Sequence, residues 1–301
     1  MSEYLGETAA LVTSICWAMT GIFFTIAGRR VGSWVVNLSR LGLAVIVLAV
    51  VHRALRGVWL PAGVELDRLG WLALSGVIGL ALGDAALFQG LVYVGPRLTS
   101  LMMATVPLMS TILAWVLLGE RLRPVDFAAV FLTTAGIAWV VSERRNRGNG
   151  AVQQRDLKRG ILFALGGALG QSLGLITSRL GLVDDYSPLS ATLIRMIAAT
   201  AAFWGFALLA GHAGRALDIL RADRRAVATI VGGTLVGPVL GVVLSLVAIQ
   251  HAQIGIASTL MSLTPIVMLP MVWMVFREQI SLRAVGGTTV ALLGVAAIFL
   301  L

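Results

Sequence analysis

Charge, cysteine and histidine are all scarce in this sequence. Only 12% of its 301 residues are charged, about half the share in a soluble globular chain. A single cysteine, Cys16, excludes an internal disulfide. One cysteine and three scattered histidines cannot build a metal cluster of the usual kind, and no phosphate-cradling glycine loop is present. Neither a metal nor a cofactor is therefore expected, and an ATP-driven pump would need a separate subunit. No basic stretch or small-residue cleavage site precedes the first apolar run, which is thus expected to be a retained helix, not a signal peptide.

What the sequence does contain is apolar surface. Hydrophobic residues make up 58% and mean hydropathy is +0.93, more than a water-soluble core could hide, so the solvent must be lipid. The 34 glycines suit closely packed membrane helices. A net charge of +9 would suggest nucleic acid in a soluble protein. Here the basic residues lie in short loops, where they hold those loops in the cytoplasm, and no nucleic-acid partner is expected.

Crossing the bilayer takes ~20 mostly apolar residues. Ten stretches qualify: 6–27, 33–52, 70–92, 97–118, 124–142, 159–179, 188–210, 225–249, 254–276 and 283–301. The midpoint segment 143–158 is polar and arginine-rich, a linker between residues 1–142 and 159–301. One constant spacing pairs Gly79 with Gly237, Gly83 with Gly241, Ser100 with Ser258, Met103 with Met261, Pro107 with Pro265, Trp115 with Trp273, Glu120 with Glu278 and Gly136 with Gly294. A slightly shorter spacing pairs Arg40 with Arg195. Shared apolar bias would not place Trp, Pro and Glu in one register, so the chain is a duplication. Five spans per copy is odd, so the copies should be inverted. The expected fold is an all-α membrane protein of ten transmembrane helices, an architecture secondary transporters use to expose a midplane site to each side in turn. Lysine and arginine concentrate in the linker and the loops on its side of the membrane, which predicts a cytoplasmic linker with both termini outside.

Residues 79–141 resemble the EamA domain of the drug/metabolite transporter superfamily. The marks are Gly119-Glu120 closing span four, Pro107 within it, Arg40 in span two and Trp17 in span one. The second half is less faithful, with Arg277-Glu278 in place of Gly-Glu and Gln171-Ser172 where span one has Trp17-Ala18. The resemblance implies a carrier, often an exporter of amino acids or other small metabolites, with a central cavity between the halves. Members are often drawn with cytoplasmic termini, opposite to the charge count here.

An ionisable side chain in a span needs a partner or a wet cavity. Arg40, Asp84 and Arg195 are the three such residues. A rise of 1.5 Å per residue puts Arg40 ~10 Å into span two and Asp84 ~20 Å into span three, at similar height, which predicts an ion pair. Arg195 falls at the mirrored height, with no acid in the second half's spans to meet it. Facing a cavity, it would bind an anionic group such as a substrate carboxylate; otherwise both arginines bond helix-end carbonyls. A desolvated carboxylate can take up and release a proton near neutral pH, which makes Asp84 and Glu7 the candidates for proton coupling. For Glu7 the plainer role is a favourable charge at a helix N-terminus.

Trp17, Thr20 and Phe24 share one face of span one, and Phe88 shares a face with Asp84. With Tyr93, Gln171, Gln250 and the adaptable Met103 and Met261, they are the expected lining of a pocket for an amphipathic small molecule. Glu120 and Glu278 are expected to tie tight helical hairpins at the interface. Pro107, Pro265 and Pro270 are candidate hinges, since they free carbonyls within spans four and nine. An intramembrane hydrolase is disfavoured because Gly83-Asp84 lacks the further glycine ahead of the aspartate that aspartyl membrane proteases use, and Ser75 has no well-placed histidine partner. The reading is a secondary transporter, not an enzyme, in a plasma or bacterial inner membrane. Its partners would be a small-molecule substrate, the lipid bilayer and, if coupled, protons; a monomer is expected to suffice, with a dimer left open. The alternative is a non-transporting membrane receptor or assembly factor.

Overall fold

The computed structural model describes residues 4–143, 154–211, 213–264, 266–267, 270–271 and 282–300. Among them there is helix and no strand, as expected where backbone polar groups have no water to bond. In order come α1 (Leu5–Val31), α2 (Ser33–Arg56), α3 (Leu66–Ser75), α4 (Asp84–Met103), α5 (Val106–Leu118), α6 (Pro124–Glu143), α7 (Gln154–Gly181), α8 (Pro188–Leu209), α9 (Ala213–Ala222), α10 (Arg224–Thr234), α11 (Val242–His251), α12 (Ile254–Met261) and α13 (Leu282–Leu300). Two π-helical segments, Gly76–Gly83 and Leu235–Gly241, join α3 to α4 and α10 to α11. Among the described residues, six stretches are long and apolar enough to cross a membrane: 5–31, 33–56, 66–90, 157–181, 188–209 and 224–251.

Helix ends follow local chemistry. Gly57 and Gly119 close α2 and α5 in the left-handed region, at φ 76° and 68°, where only glycine is unstrained. Pro188 and Pro124 open α8 and α6, where a missing N–H costs nothing.

Three expected boundaries change. The backbone is helical without a break from 66 to 103, so no turn separates spans three and four at 93–96. In apolar surroundings a break strands several polar groups, whereas Pro96 forfeits only one N–H. The break falls instead at Ala104-Thr105, where Thr105 Oγ1 donates to the Met102 carbonyl at 2.6 Å. Pro107 stands in the first turn of α5, so it begins a helix and does not kink one. Gln154–Lys158, read as linker, are already helical. The stretch after span seven, read as loop, contains α9, whose Ala216 is buried.

Packing crosses between the halves in a reciprocal way. The 66–94 stretch runs antiparallel to α7, with Leu72 against Gly181, Gly79 against Gly174, Gly83 against Gly170 and Gly90 against Ala164. The 224–252 stretch runs antiparallel to α1 in the same manner, with Gly233 against Phe24, Gly237 against Thr20, Gly241 against Trp17 and Ala252 against Gly6. The two π segments occupy matching places in these two pairs. α2 and α8 are also antiparallel: His52 Nε2 meets Ser190 Oγ at 3.0 Å, and Trp204 Nε1 donates to the Leu38 carbonyl at 3.0 Å. One buried apolar cluster lies between α2 and α8 (Leu38, Leu41, Leu48, Leu193, Met196) and another around α11 and α12 (Leu246, Ile249, Ile254, Leu260).

At one end of α1, Arg30 Nε donates to Asp223 Oδ2 at 2.7 Å, while Asp223 Oδ1 accepts the Ala226 N–H at 2.9 Å as the N-cap of α10. The Arg30 bond, then the Ala226 bond, holds the Asp223 carboxyl below the ordinary carboxylate range. A depressed folded value means stability that is present above the unfolded pKa near 3.9 and lost as pH falls through the folded one. Asp223→Ala should therefore lower the melting temperature at neutral pH. The gap to wild type should close on acidification below about pH 4; a gap independent of pH would exclude the carboxylate as its cause.

Candidate functional site: a charged centre between α2, α4 and α8

Arg40 lies seven residues into α2 and is 8% exposed. Its Nε donates to Asn37 Oδ1 one turn back at 2.7 Å, and its Nη2 donates to Asp84 Oδ2. The rings of Phe24 and Phe88 stand 5.9 and 5.7 Å from the guanidinium carbon, within cation–π range. Asp84 is the first α-helical residue after the π segment and keeps a side chain 23% exposed. The pair is thus walled by aromatic rings and still open on the carboxylate side. π segments inside α-helices often mark functional sites.

Arg195 lies seven residues into α8, antiparallel to α2, and so at the opposite depth. It is 4% exposed. Its backbone carbonyl lies so close to Gly76 that a Cβ there would collide with it, and its Nη2 reaches toward Gly79. Nε and Nη1 are buried without a hydrogen-bond partner. Asp84 is near enough to act on it electrostatically, but no ion pair within 4 Å joins Arg195 to an acid among the described residues.

The other expected lining residues are dispersed. Trp17 and Thr20 pack against Gly241 and Gly237, so this face of α1 is a helix–helix contact, and of its three residues only Phe24 reaches Arg40. Met261 is 1% exposed in the α11–α12 cluster; Met103 is half-buried. Tyr93 stacks on Phe163 at 5.8 Å. Gln171 is half-buried, beside Gly83. Gln250 donates to the Tyr186 carbonyl at 3.1 Å, at the end of the bundle. Glu7 sits in the first turn of α1 with Oε2 buried and unbonded. Pro270 is exposed, while Pro265 and Glu278 lie outside the described residues. Among those residues no group of three acids, histidines or cysteines could hold a metal.

Two features were not anticipated from the sequence. The π segments were missed, although Gly76, Gly79 and Gly83, and Gly237, Pro238 and Gly241, are their visible signal. The second is a clamp on the turn between α11 and α12. Glu120 Oε2 accepts the Ile254 N–H at 3.0 Å, and Arg179 Nη1 donates to the Ile249 carbonyl. A cation at the C-terminus of α11 and an anion at the N-terminus of α12 both suit the helix dipoles. Burial pushes the Glu120 carboxyl up, opposed by the Ile254 N–H and Arg179. Glu120 therefore ties two halves of the chain, not the α5–α6 hairpin. Asp126, in the first turn of α6, bonds back to the loop residue before that helix, accepting from Arg123 Nε at 2.9 Å and Nη2 at 2.8 Å. A hollow of about 470 Å³ beside Glu120, lined by Thr111, Trp115 and Phe127, does not reach the charged centre.

No curated protein matches the chain. A crystal structure described only as "Crystal structure of protein" superposes with a TM-score of 0.75, covering 99% of this chain and 98% of its own, at 18% identity. That likeness shows the fold alone. The family model described as "EamA-like transporter family" matches twice, over residues 4–142 and 158–300. Together these two matches take in nearly the whole sequence, one in each half, and the chain belongs to the EamA-like transporter family.

Proposed function

We propose that this protein is a secondary transporter of ten spans, built as two inverted five-helix copies, that carries a small amphipathic metabolite out of the cell by alternating access. The observation that carries the reading is the reciprocal pairing across the halves: 66–94 on α7, and 224–252 on α1. Such pairs can exchange conformations when one unit rocks against the other, exposing a central site to each side in turn. The site is the charged centre, where Arg40 and Asp84 pair beside Phe24 and Phe88 and Arg195 lies within electrostatic reach of Asp84. Asp84, the partly open member, is the coupling carboxylate if the transport is proton-driven; Glu7, at the mouth of α1, has no part in the centre.

Purified protein in liposomes loaded with small metabolites should release at least one amphipathic solute faster than empty liposomes do. A folded protein that moves none of a broad panel would favour the receptor or assembly-factor alternative.

A further inference from the structure

The duplication supplies a buried arginine twice and a carboxylate once. At the register that pairs Gly79 with Gly237 and Gly83 with Gly241, the residue matching Asp84 is Val242. Val242 is 8% exposed and belongs to the same packed cluster as Leu193 and Met196, the close neighbours of Arg195 in α8. Arg40 thus has a carboxylate, an amide oxygen and two rings. Arg195, equally buried, has an isopropyl group where its repeat-mate's acid would be, and leaves Nε and Nη1 unbonded.

A buried, unpaired guanidinium is among the most unfavourable groups a fold can hold. Arginine cannot escape that by losing its proton. Charge therefore has to come from outside. Arg40, Asp84 and Arg195 together carry two positive charges and one negative, so the centre is short of one negative charge. From these observations we infer that Arg195 is the anchor for the anionic head of the transported molecule, and that the substrate class is an amphipathic monocarboxylate. A carboxylate fits the guanidinium's planar fork of donors. Gly76 lets the α8 backbone at Arg195 lie directly against the π segment, and Gly79, which has no side chain, stands beside Nη2 of the guanidinium. Phe24 and Phe88, close to Arg40, suit the apolar body. This inference rests on the transporter reading for its meaning but is tested separately from it.

The probes are 3-phenylpropionate, its amide and 3-phenylpropylamine, which share a body and differ in head charge. In the purified protein, only the carboxylate should raise the melting temperature. Arg195→Gln should weaken its binding at least tenfold, and should itself raise the melting temperature of the unliganded protein because it removes an unpaired charge. A merely structural arginine would lower it. Val242→Asp supplies the missing acid from within the chain and should abolish the carboxylate response while the protein stays folded. Equal stabilisation by the amide or amine, or a carboxylate response that survives in both variants, overturns the assignment; so does the absence of any carboxylate response in the wild type. If the carboxylate binds through Arg195 but no solute crosses liposomes, the anion site stands and the transporter reading falls. If solutes cross without regard to head charge, the reverse holds.

Discussion

Asp84→Asn should abolish transport and lower the melting temperature by on the order of 10 °C. The change keeps the shape of the side chain and removes a negative charge that pairs with Arg40 and acts electrostatically on Arg195. Breaking a buried ion pair from one side typically costs about 3–5 kcal/mol, because the surviving charge is left uncompensated. Here Arg40 keeps only the Asn37 oxygen and the two rings, and Arg195 loses its one electrostatic counterweight. Replacing both partners is a different matter, since matched apolar residues often equal a buried pair. Arg40→Leu combined with Asp84→Leu should therefore melt closer to wild type than either single change, while still failing to transport. Thermal melts of the three variants with liposome flux alongside test this. Full flux in Asp84→Asn would show that the charge has no part in the cycle. Additive losses in the double variant would show that the two side chains act independently.

Much of the helical frame could be read from the sequence because lipid makes hydropathy decisive: a long apolar run has nowhere else to go. The repeat could be read because Trp, Pro and Glu do not align by chance. The approach of Arg40 to Asp84 also followed from rise per residue alone, since depth in a bilayer is one coordinate. What could not be read was rotation about the helix axes. The face of α1 bearing Trp17 and Thr20 looks like a pocket lining in a helical projection. It proves to be a packing face because Gly237 and Gly241 lie opposite, a fact that belongs to another helix. Glu120 poses the same problem: sequence places it beside α6, yet its partner is the N–H of Ile254. The unbroken helix through Pro96 could not be read either, because a proline is equally a helix start or a tolerated kink.

The glycines of the π segment and of α7 set how closely the halves approach, and substitutions there should be nearly as severe as loss of Asp84. A Cβ on Gly170 would stand 2.7 Å from the Gly83 Cα, and one on Gly174 would stand 2.9 Å from the Gly79 Cα. The obstructing atoms are backbone, so no side chain can swing aside and a whole helix must move. Overpacking of this kind costs about 1–3 kcal/mol and sometimes more, so Gly170→Ala should melt several degrees lower, and Gly170→Val should fail to accumulate as folded protein. Gly205, toward the C-terminal end of α8 with nothing near its Cβ position, is the control: Gly205→Ala should be neutral or slightly stabilising, as expected for glycine replaced in a helix. Gly79→Ala is the most informative of the set. Its Cβ would press on the Gly174 backbone at 3.3 Å and lie 3.8 Å from Arg195 Nη2. It should leave the protein folded but weaken anion-dependent stabilisation several-fold, because the added carbon takes up the space beside the guanidinium. If Gly79→Ala binds the carboxylate as wild type does, the anion approaches Arg195 from a side other than the π segment.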